Sequence, residues 1–266
     1  MLTKFFMRSL LRNHALWGWG VGFMAVWLFM GAYVFNFDPT GKNMAMYYTA
    51  VWFSLIGLIS ASIVATSVSN SIYYGNSSLA FALRYTKLKP ASYVLDLLVG
   101  TSMVVAILGT VLLLFSMVVY STKSKYPIFP AMPVQSILVF FLAGMFMFFI
   151  SAVLVIFINN HAGLRNITFV AFIPQILSYI FGFSEFGVSM PASVVYVSPF
   201  SEIPRLLFQT FYGSAAPLNI SNGTGPTLNP YFLLSGLLAW ITLLFLLTLI
   251  LVRRITPRSI EEARQV

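Results

Sequence analysis

The chain reads as long apolar runs separated by short polar stretches. A bilayer-spanning helix needs roughly 20 mostly apolar residues. Five segments meet that length, at about Leu16–Phe35, Met46–Ser67, Val94–Tyr120, Val134–Ile158 and Tyr231–Val252. A sixth, Ile167–Phe183, has 17 residues and holds Pro174. At about 1.5 Å per residue it reaches roughly 25 Å, slightly short of a hydrocarbon core. A short kinked helix still spans if its neighbours cover the freed carbonyls. A seventh apolar stretch, Met190–Tyr212, carries Pro191, Pro199 and Pro204, with Glu202 and Arg205 near its middle. Repeated prolines break a helix, and a charge at the bilayer centre costs about 2.5–3.5 kcal/mol on the insertion scale. This stretch therefore reads as two short helices that dip in and return on one side. The expected fold class is all-α: a polytopic membrane protein of six transmembrane helices in one domain over 1–266, with an external re-entrant region at 184–229.

Charge placement sets the expected orientation. With six spans, eleven of the fifteen Lys and Arg residues fall on one side: Lys4, Arg8, Arg12, Arg84, Lys87, Lys89, Arg165, Arg253, Arg254, Arg258 and Arg264. Basic loops stay in the cytoplasm, so both termini are expected there, in a multi-pass protein of the cell membrane. A seventh span would put the basic tail outside. The sequons at Asn219 and Asn222 then lie outside, as candidate glycosylation acceptors in an organism that glycosylates asparagine. Asn76 and Asn166 also match the sequon, on or near the cytoplasmic side. No signal peptide is evident. Residues 1–14 place Lys4, Arg8 and Arg12 at i, i+4 and i+8, opposite Leu2, Phe5, Phe6, Leu10 and Leu11. That pattern predicts an amphipathic helix lying on the inner leaflet, or a plain positive anchor for the first span.

Composition narrows the function. The chain of 266 residues is 59% hydrophobic and 8% charged, with no cysteine, against about 25% charged in a soluble domain. It has too little polar surface for a water-soluble enzyme, a nucleic-acid-binding domain or a disordered chain, so no nucleic-acid partner is expected and membrane lipid is. The net charge of +9 reads as topology rather than as a nucleic-acid footprint. Without cysteine there is no thiol catalysis, disulfide or zinc finger. No ionisable residue falls at the expected mid-depth of a span; Asp96 sits at the inner mouth of the third, and Glu185 and Glu202 in the outer loop region. Ion-coupled transport is disfavoured on that ground. His14 and His161 sit at inner boundaries without carboxylates nearby, so a metal site lacks ligands, and no serine has a base at membrane depth. Gly41-Lys42-Asn43 is the nearest approach to a phosphate-binding loop, but Asn36 stands where the first glycine is needed and no Ser or Thr follows the lysine. No catalytic or cofactor residues are assigned. Uphill transport would have to draw energy from another chain.

Two segments carry more specific information. Between spans two and three, residues 69–93 contain an amphipathic pattern over Leu79–Leu88 with Arg84 and Lys87 on the polar side, ended by Pro90. The order Gly75-Asn-Ser-Ser-Leu79, Arg84-Tyr-Thr86, Lys89-Pro90-Ala-Ser92-Tyr93 resembles the cytoplasmic loop of ABC-2 type permeases, the membrane subunits of type V-like ATP-binding cassette exporters. The acidic residue that often precedes the glycine is replaced here by Tyr74. Before the last span, Met190-Pro191 through Pro199-Phe200-Ser-Glu202-Ile-Pro-Arg205 is similar to the same family's re-entrant helices. The order of these features covers essentially the whole chain.

The resemblance implies a permease subunit that pairs with a second copy, as homodimer or heterodimer, and with a cytoplasmic ATPase subunit that holds ATP and Mg. It implies coupling to that ATPase through Leu79, Phe81, Leu83, Arg84 and Thr86. It implies a translocation path lined from spans two and five, with Phe53, Ser60 and Thr66 on one and Phe172, Gln175 and Tyr179 on the other. It implies an outer gate of Pro191, Pro199, Phe200, Glu202 and Arg205. The cargo expected from the low polarity of the spans is amphipathic or hydrophobic: a lipid, drug or peptide; the resemblance adds a lipid-linked glycan, which other members of that class move. Gln175 equally suits a bond to a neighbouring backbone carbonyl. Gly18-xxx-Gly22 suits close helix packing. Trp17, Trp19, Tyr47 and Tyr48 suit interface anchors. The alternative from a different class is an integral membrane scaffold or insertion factor without transport; a channel ranks after it.

Overall fold

A computed structural model describes residues 2–35, 38–85, 90–161, 167–186 and 190–252, with backbone alone at 2, 75–85, 90, 160–161 and 167–168. It is a helical bundle built from α1 (Leu2–Leu11), α2 (His14–Trp17), a π-helical segment (Gly18–Phe23), α3 (Met24–Tyr33), α4 (Lys42–Tyr85), α5 (Pro90–Ser124), α6 (Pro133–His161), α7 (Ile167–Ser184), α8 (Ala192–Val197), α9 (Pro199–Tyr212) and α10 (Pro230–Val252). One antiparallel hairpin, β1 (Pro217–Asn219) with β2 (Thr224–Thr227), interrupts the all-helical plan before α10. Among the described residues, five helical stretches are long and apolar enough to cross a membrane: His14–Tyr33, Lys42–Tyr74, Ala91–Ser124, Pro133–Asn159 and Pro230–Val252. The chain is thus a multi-pass membrane protein by length and composition. The apolar part of α7, Phe169–Ser184, is shorter.

Helix α4 is the hub. Its apolar window is 89% buried, against 28% for α10, and it packs against α3, α5, α6, α7 and α9. Small residues set the closest approaches. A Cβ on Gly144 of α6 would lie 2.7 Å from the Ser102 backbone of α5, and only hydrogen fits there. The outward faces are aliphatic instead. On α5, Leu95, Val99, Met103, Ile107, Leu114 and Val118 form an exposed stripe along the helix, the composition a lipid-facing surface requires.

The amphipathic helix expected at residues 1–14 ends at Leu11, and α1 lies across α5. Thr3 donates a short hydrogen bond to the Asp96 carboxylate, and Phe6 and Met7 cover Gly100. Lys4, Arg8 and Arg12 stay exposed. Asn13 then caps α2 by accepting from the Ala15 N–H at 3.0 Å.

In the first span the glycines act differently from the expected Gly18-xxx-Gly22 contact. A Cβ on Gly18 would meet nothing within 4 Å, and one on Gly22 only the carbonyl of Trp17. Two glycines of the span are buried: Gly20, against Leu108 and Ile63, and Gly31 of α3, where a Cβ would collide with Tyr120 and Trp52. The π-helical turns rotate the helix register, so Gly20 faces the bundle. Ser60 donates to the Gly20 carbonyl at 2.7 Å, satisfying a group in a segment whose backbone bonding is irregular. Of the expected interface aromatics, Trp19 is exposed. Tyr47 and Tyr48 are half-buried, donating to the carbonyls of Ile220 and Gly31.

Candidate functional site

The polar centre of the molecule is the region from the end of α7 to the start of α10. Chain chemistry explains its shape. Pro191 precedes α8, Ser198 breaks the helix, and Pro199 opens α9 at the first helical position, where its missing N–H costs nothing. Gly213 ends α9 with φ 93° and donates to the Gln209 carbonyl at 2.8 Å, a conformation that favours glycine. Pro204 sits inside the first two turns.

Helix α9 is almost wholly buried. Its C-terminal end is tied to the loop before α6: the carbonyls of Phe211 and Thr210 accept from the N–H groups of Ala131 and Met132 at 2.9 Å each. Its N-terminal end lies elsewhere. The Trp240 indole donates to the Val197 carbonyl at 2.7 Å, and Trp240 is ten residues into α10. At about 1.5 Å per residue, the α8–α9 turn therefore lies beside a point about 15 Å along α10.

Two acidic residues expected in an outer loop are in fact buried. Glu185, just past α7, is 4% exposed, while Glu202 and Arg205 are 0% exposed. Arg205 holds Glu185 with both terminal nitrogens, Nη1 to Oε1 at 2.7 Å and Nη2 to Oε2 at 3.1 Å. The same guanidinium donates to the carbonyls of Ser201 at 3.0 Å and Leu218 at 2.6 Å. Ser221 donates to the Glu185 carbonyl at 2.5 Å. One arginine thus ties α9, the end of α7 and the hairpin together. Burial pushes the Glu185 carboxyl up, and the adjacent guanidinium opposes that shift.

Glu202 has no such support. Among the described residues neither of its carboxylate oxygens has a hydrogen-bond partner. It is tucked against Gly236 of α10, where a Cβ would collide with Oε1 and would lie 3.2 Å from the Tyr196 carbonyl. Burial pushes its carboxyl up to about 8, so it is held as the neutral acid at pH 7. The resemblance marked Glu202 as a gate residue; Arg205, three residues on, turns both terminal nitrogens to Glu185, and its own Nε is without a hydrogen-bond partner among the described residues.

Of the other outer-gate candidates, Pro199 and Phe200 open α9 and Pro191 precedes α8. Pro199 is buried, Pro191 is exposed, and the Phe200 ring packs on Phe146 at 5.3 Å and Phe181 at 5.7 Å. Beneath the α8–α9 turn lies a groove of about 590 Å³.

The six candidate path residues do not form one lining within a single chain. Phe53 is 1% exposed and packs on Phe140 and Phe211 at 5.8 and 5.0 Å. Ser60 is buried on the first span. Thr66 donates to the Ala171 carbonyl and to Gln175 Oε1, both at 3.2 Å, and joins α4 to α7. Tyr179 stacks on Phe183 at 5.8 Å. Phe172 faces outward, 40% exposed. The side chains of Leu79, Phe81, Leu83 and Arg84, and Thr86 entirely, lie outside the described residues. The backbone of 79–85 continues α4 rather than opening a separate helix. In the hairpin, Asn219 donates to the Thr224 hydroxyl at 3.2 Å, and Asn222 is exposed.

Comparison with protein-family models finds no match along this chain. Comparison with curated protein sequences finds no relative.

Proposed function

We propose that the chain is the transmembrane subunit of an ATP-driven ABC exporter, moving an amphipathic or hydrophobic substrate out of the cytoplasm or inner leaflet. A separate cytoplasmic ATPase subunit holds ATP and Mg, and a second permease copy completes the path. The observation that carries this reading is the length of α4. It runs 44 residues without a break, when about 20 cross a bilayer. Its end, at Tyr85, falls within the segment whose residue order resembles the ATPase-contacting loop of ABC-2 permeases. The arrangement of α8 and α9 supports the same reading, as a re-entrant pair closing the outer end of the path. Helix α7, with 18 residues and Pro174, then serves as the fifth of six spans, and both termini are cytoplasmic.

Topology is checked by single cysteines on the cysteine-free background. Asn222→Cys is expected to label only from outside, and Ser77→Cys and Ser259→Cys only from the cytoplasm. Labelling of positions 222 and 259 from the same side would sink the six-span arrangement.

Coupling is checked by purification in mild detergent. The intact chain is expected to bring down an ATPase with Walker motifs. Truncating apolar anchors in a small interface removes about 2–4 kcal/mol, and about 1.4 kcal/mol is tenfold in affinity. The double variant Phe81→Ala/Leu83→Ala is therefore expected to reduce ATPase recovery more than tenfold with membrane insertion unchanged. If the intact chain recovers no such ATPase, the exporter reading loses its energy source. Full recovery with the double variant moves the coupling surface elsewhere.

A further inference from the structure

The groove beneath the α8–α9 turn has a chemistry of its own. Only Ser193 and Ser198 among its lining residues carry a side-chain hydroxyl; the rest of the wall is aliphatic, aromatic or proline. Water is a poor occupant of such a space, since a buried water needs two to four polar partners. The walls are also held apart. Trp240 is fixed by its bond to the Val197 carbonyl, and Phe200 is wedged between Phe146 and Phe181. Fixed walls keep the groove from closing by side-chain collapse.

Position then selects the occupant. The α10 lining residues are Trp240 and Leu244, ten and fourteen residues from the start of that helix. They lie about 15 and 21 Å along it, within a hydrocarbon core about 30 Å thick. The rim residues Val194 and Val197 are 39% and 62% exposed, so the groove opens sideways from the bundle toward lipid. A cavity of about 150 Å³ lined by Leu, Ile and Phe takes benzene; this groove, about 590 Å³, has room for an extended alkyl chain.

We propose that this groove seats one acyl chain of a bilayer phospholipid, drawn under the α8–α9 turn from the leaflet nearest α8. The proposal rests on membrane insertion alone and stands whether or not the chain couples to an ATPase. The seated chain fills the space between α6, α7 and α10 below the turn, so the α8–α9 pair rests partly on lipid.

The test uses the full chain in nanodiscs of phosphatidylcholine carrying a photoactivatable diazirine in one acyl chain, with adducts mapped by peptide mass spectrometry. Adducts are expected at Val194–Phe200 and Trp240–Leu244 at about five times the density per residue found on the outward stripe of α5, which reports ordinary surrounding lipid. Val194→Trp narrows the mouth from an exposed rim position. It is expected to cut the groove adducts at least fivefold and leave the α5 adducts unchanged, which also shows that the variant is folded. Equal density in groove and stripe, or groove adducts unaffected by Val194→Trp, would overturn the proposal. So would an unlabelled groove with chain-to-chain cross-links at the same residues, since a second copy would then be the occupant.

Discussion

Replacing Arg205 with methionine is expected to cost about 3–5 kcal/mol of stability, the usual consequence of removing one partner from a buried ion pair. The loss follows from what stays behind. Glu185 would keep a buried carboxylate without its counterion, and the Ser201 and Leu218 carbonyls would each lose a donor. Arg205→Lys keeps the charge but not the fork that meets both oxygens of Glu185, so it falls between. The double variant Arg205→Met/Glu185→Leu is expected to regain a large part of the loss, because it removes both buried charges together. It does not regain all of it, since the Leu218 carbonyl still loses its side-chain donor, at a cost of about 1–3 kcal/mol. Thermal unfolding in detergent micelles measures all three. A double variant no more stable than Arg205→Met would show that the pair is not the source of the effect.

Glu202→Gln is expected to remove a loss of stability that the natural chain suffers as pH rises. The sign follows from the two protonation states. Burial raises the folded carboxyl to about 8, while the ordinary value is 4.5. Between those values the unfolded chain has released a proton that the folded chain still holds. Stability is therefore full below about pH 4.5, falls as pH rises, and levels off above about pH 8, with a slope of at most about 1.4 kcal/mol per pH unit. Glutamine keeps the shape and cannot ionise. Unfolding temperatures at intervals from pH 5 to 9 should fall more steeply for the natural chain than for Glu202→Gln. Parallel profiles would mean that Glu202 does not titrate in this window.

How far the sequence could be read depends on what the solvent is. The long apolar runs are legible because a bilayer demands them, and four of the five qualifying spans in the structure lie where the runs predict with small shifts at their ends. The second run matches in its N-terminal and middle parts, but its helix continues through Tyr85. Which face of a span meets protein is far less legible. Lipid is as apolar as a packed core, so no polar stripe marks the outside. That is why Phe53 and Ser60, chosen as path residues, turn out to be packed inside one chain. Ser60 could not be assigned without knowing that the first span turns π-helical at Gly18–Phe23 and presents the Gly20 carbonyl. The Glu185–Arg205 pair did leave a trace. Opposite charges in an apolar stretch need partners, but sequence spacing favours Glu202, three residues from Arg205 on one helix, over Glu185, twenty residues away. Placing Glu185 in the outer loop region and Arg205 in the re-entrant gate kept the two apart.

The unbroken length of α4 has a mechanical consequence. Its N-terminal end is held near Tyr47, which donates to the Ile220 carbonyl and packs edge-on against Phe208 and Tyr212. From there to Tyr85 the helix is about 57 Å long at 1.5 Å per residue. Such a rod is clamped through its middle, where residues 45–69 are buried or half-buried against α3, α5, α6, α7 and α9. A close-packed interior has low compressibility and transmits strain, so a displacement at Tyr85 reaches the Tyr47 end only as a shift or tilt shared with the helices around it. The helix is thus the keel of the bundle, and the bundle moves with it.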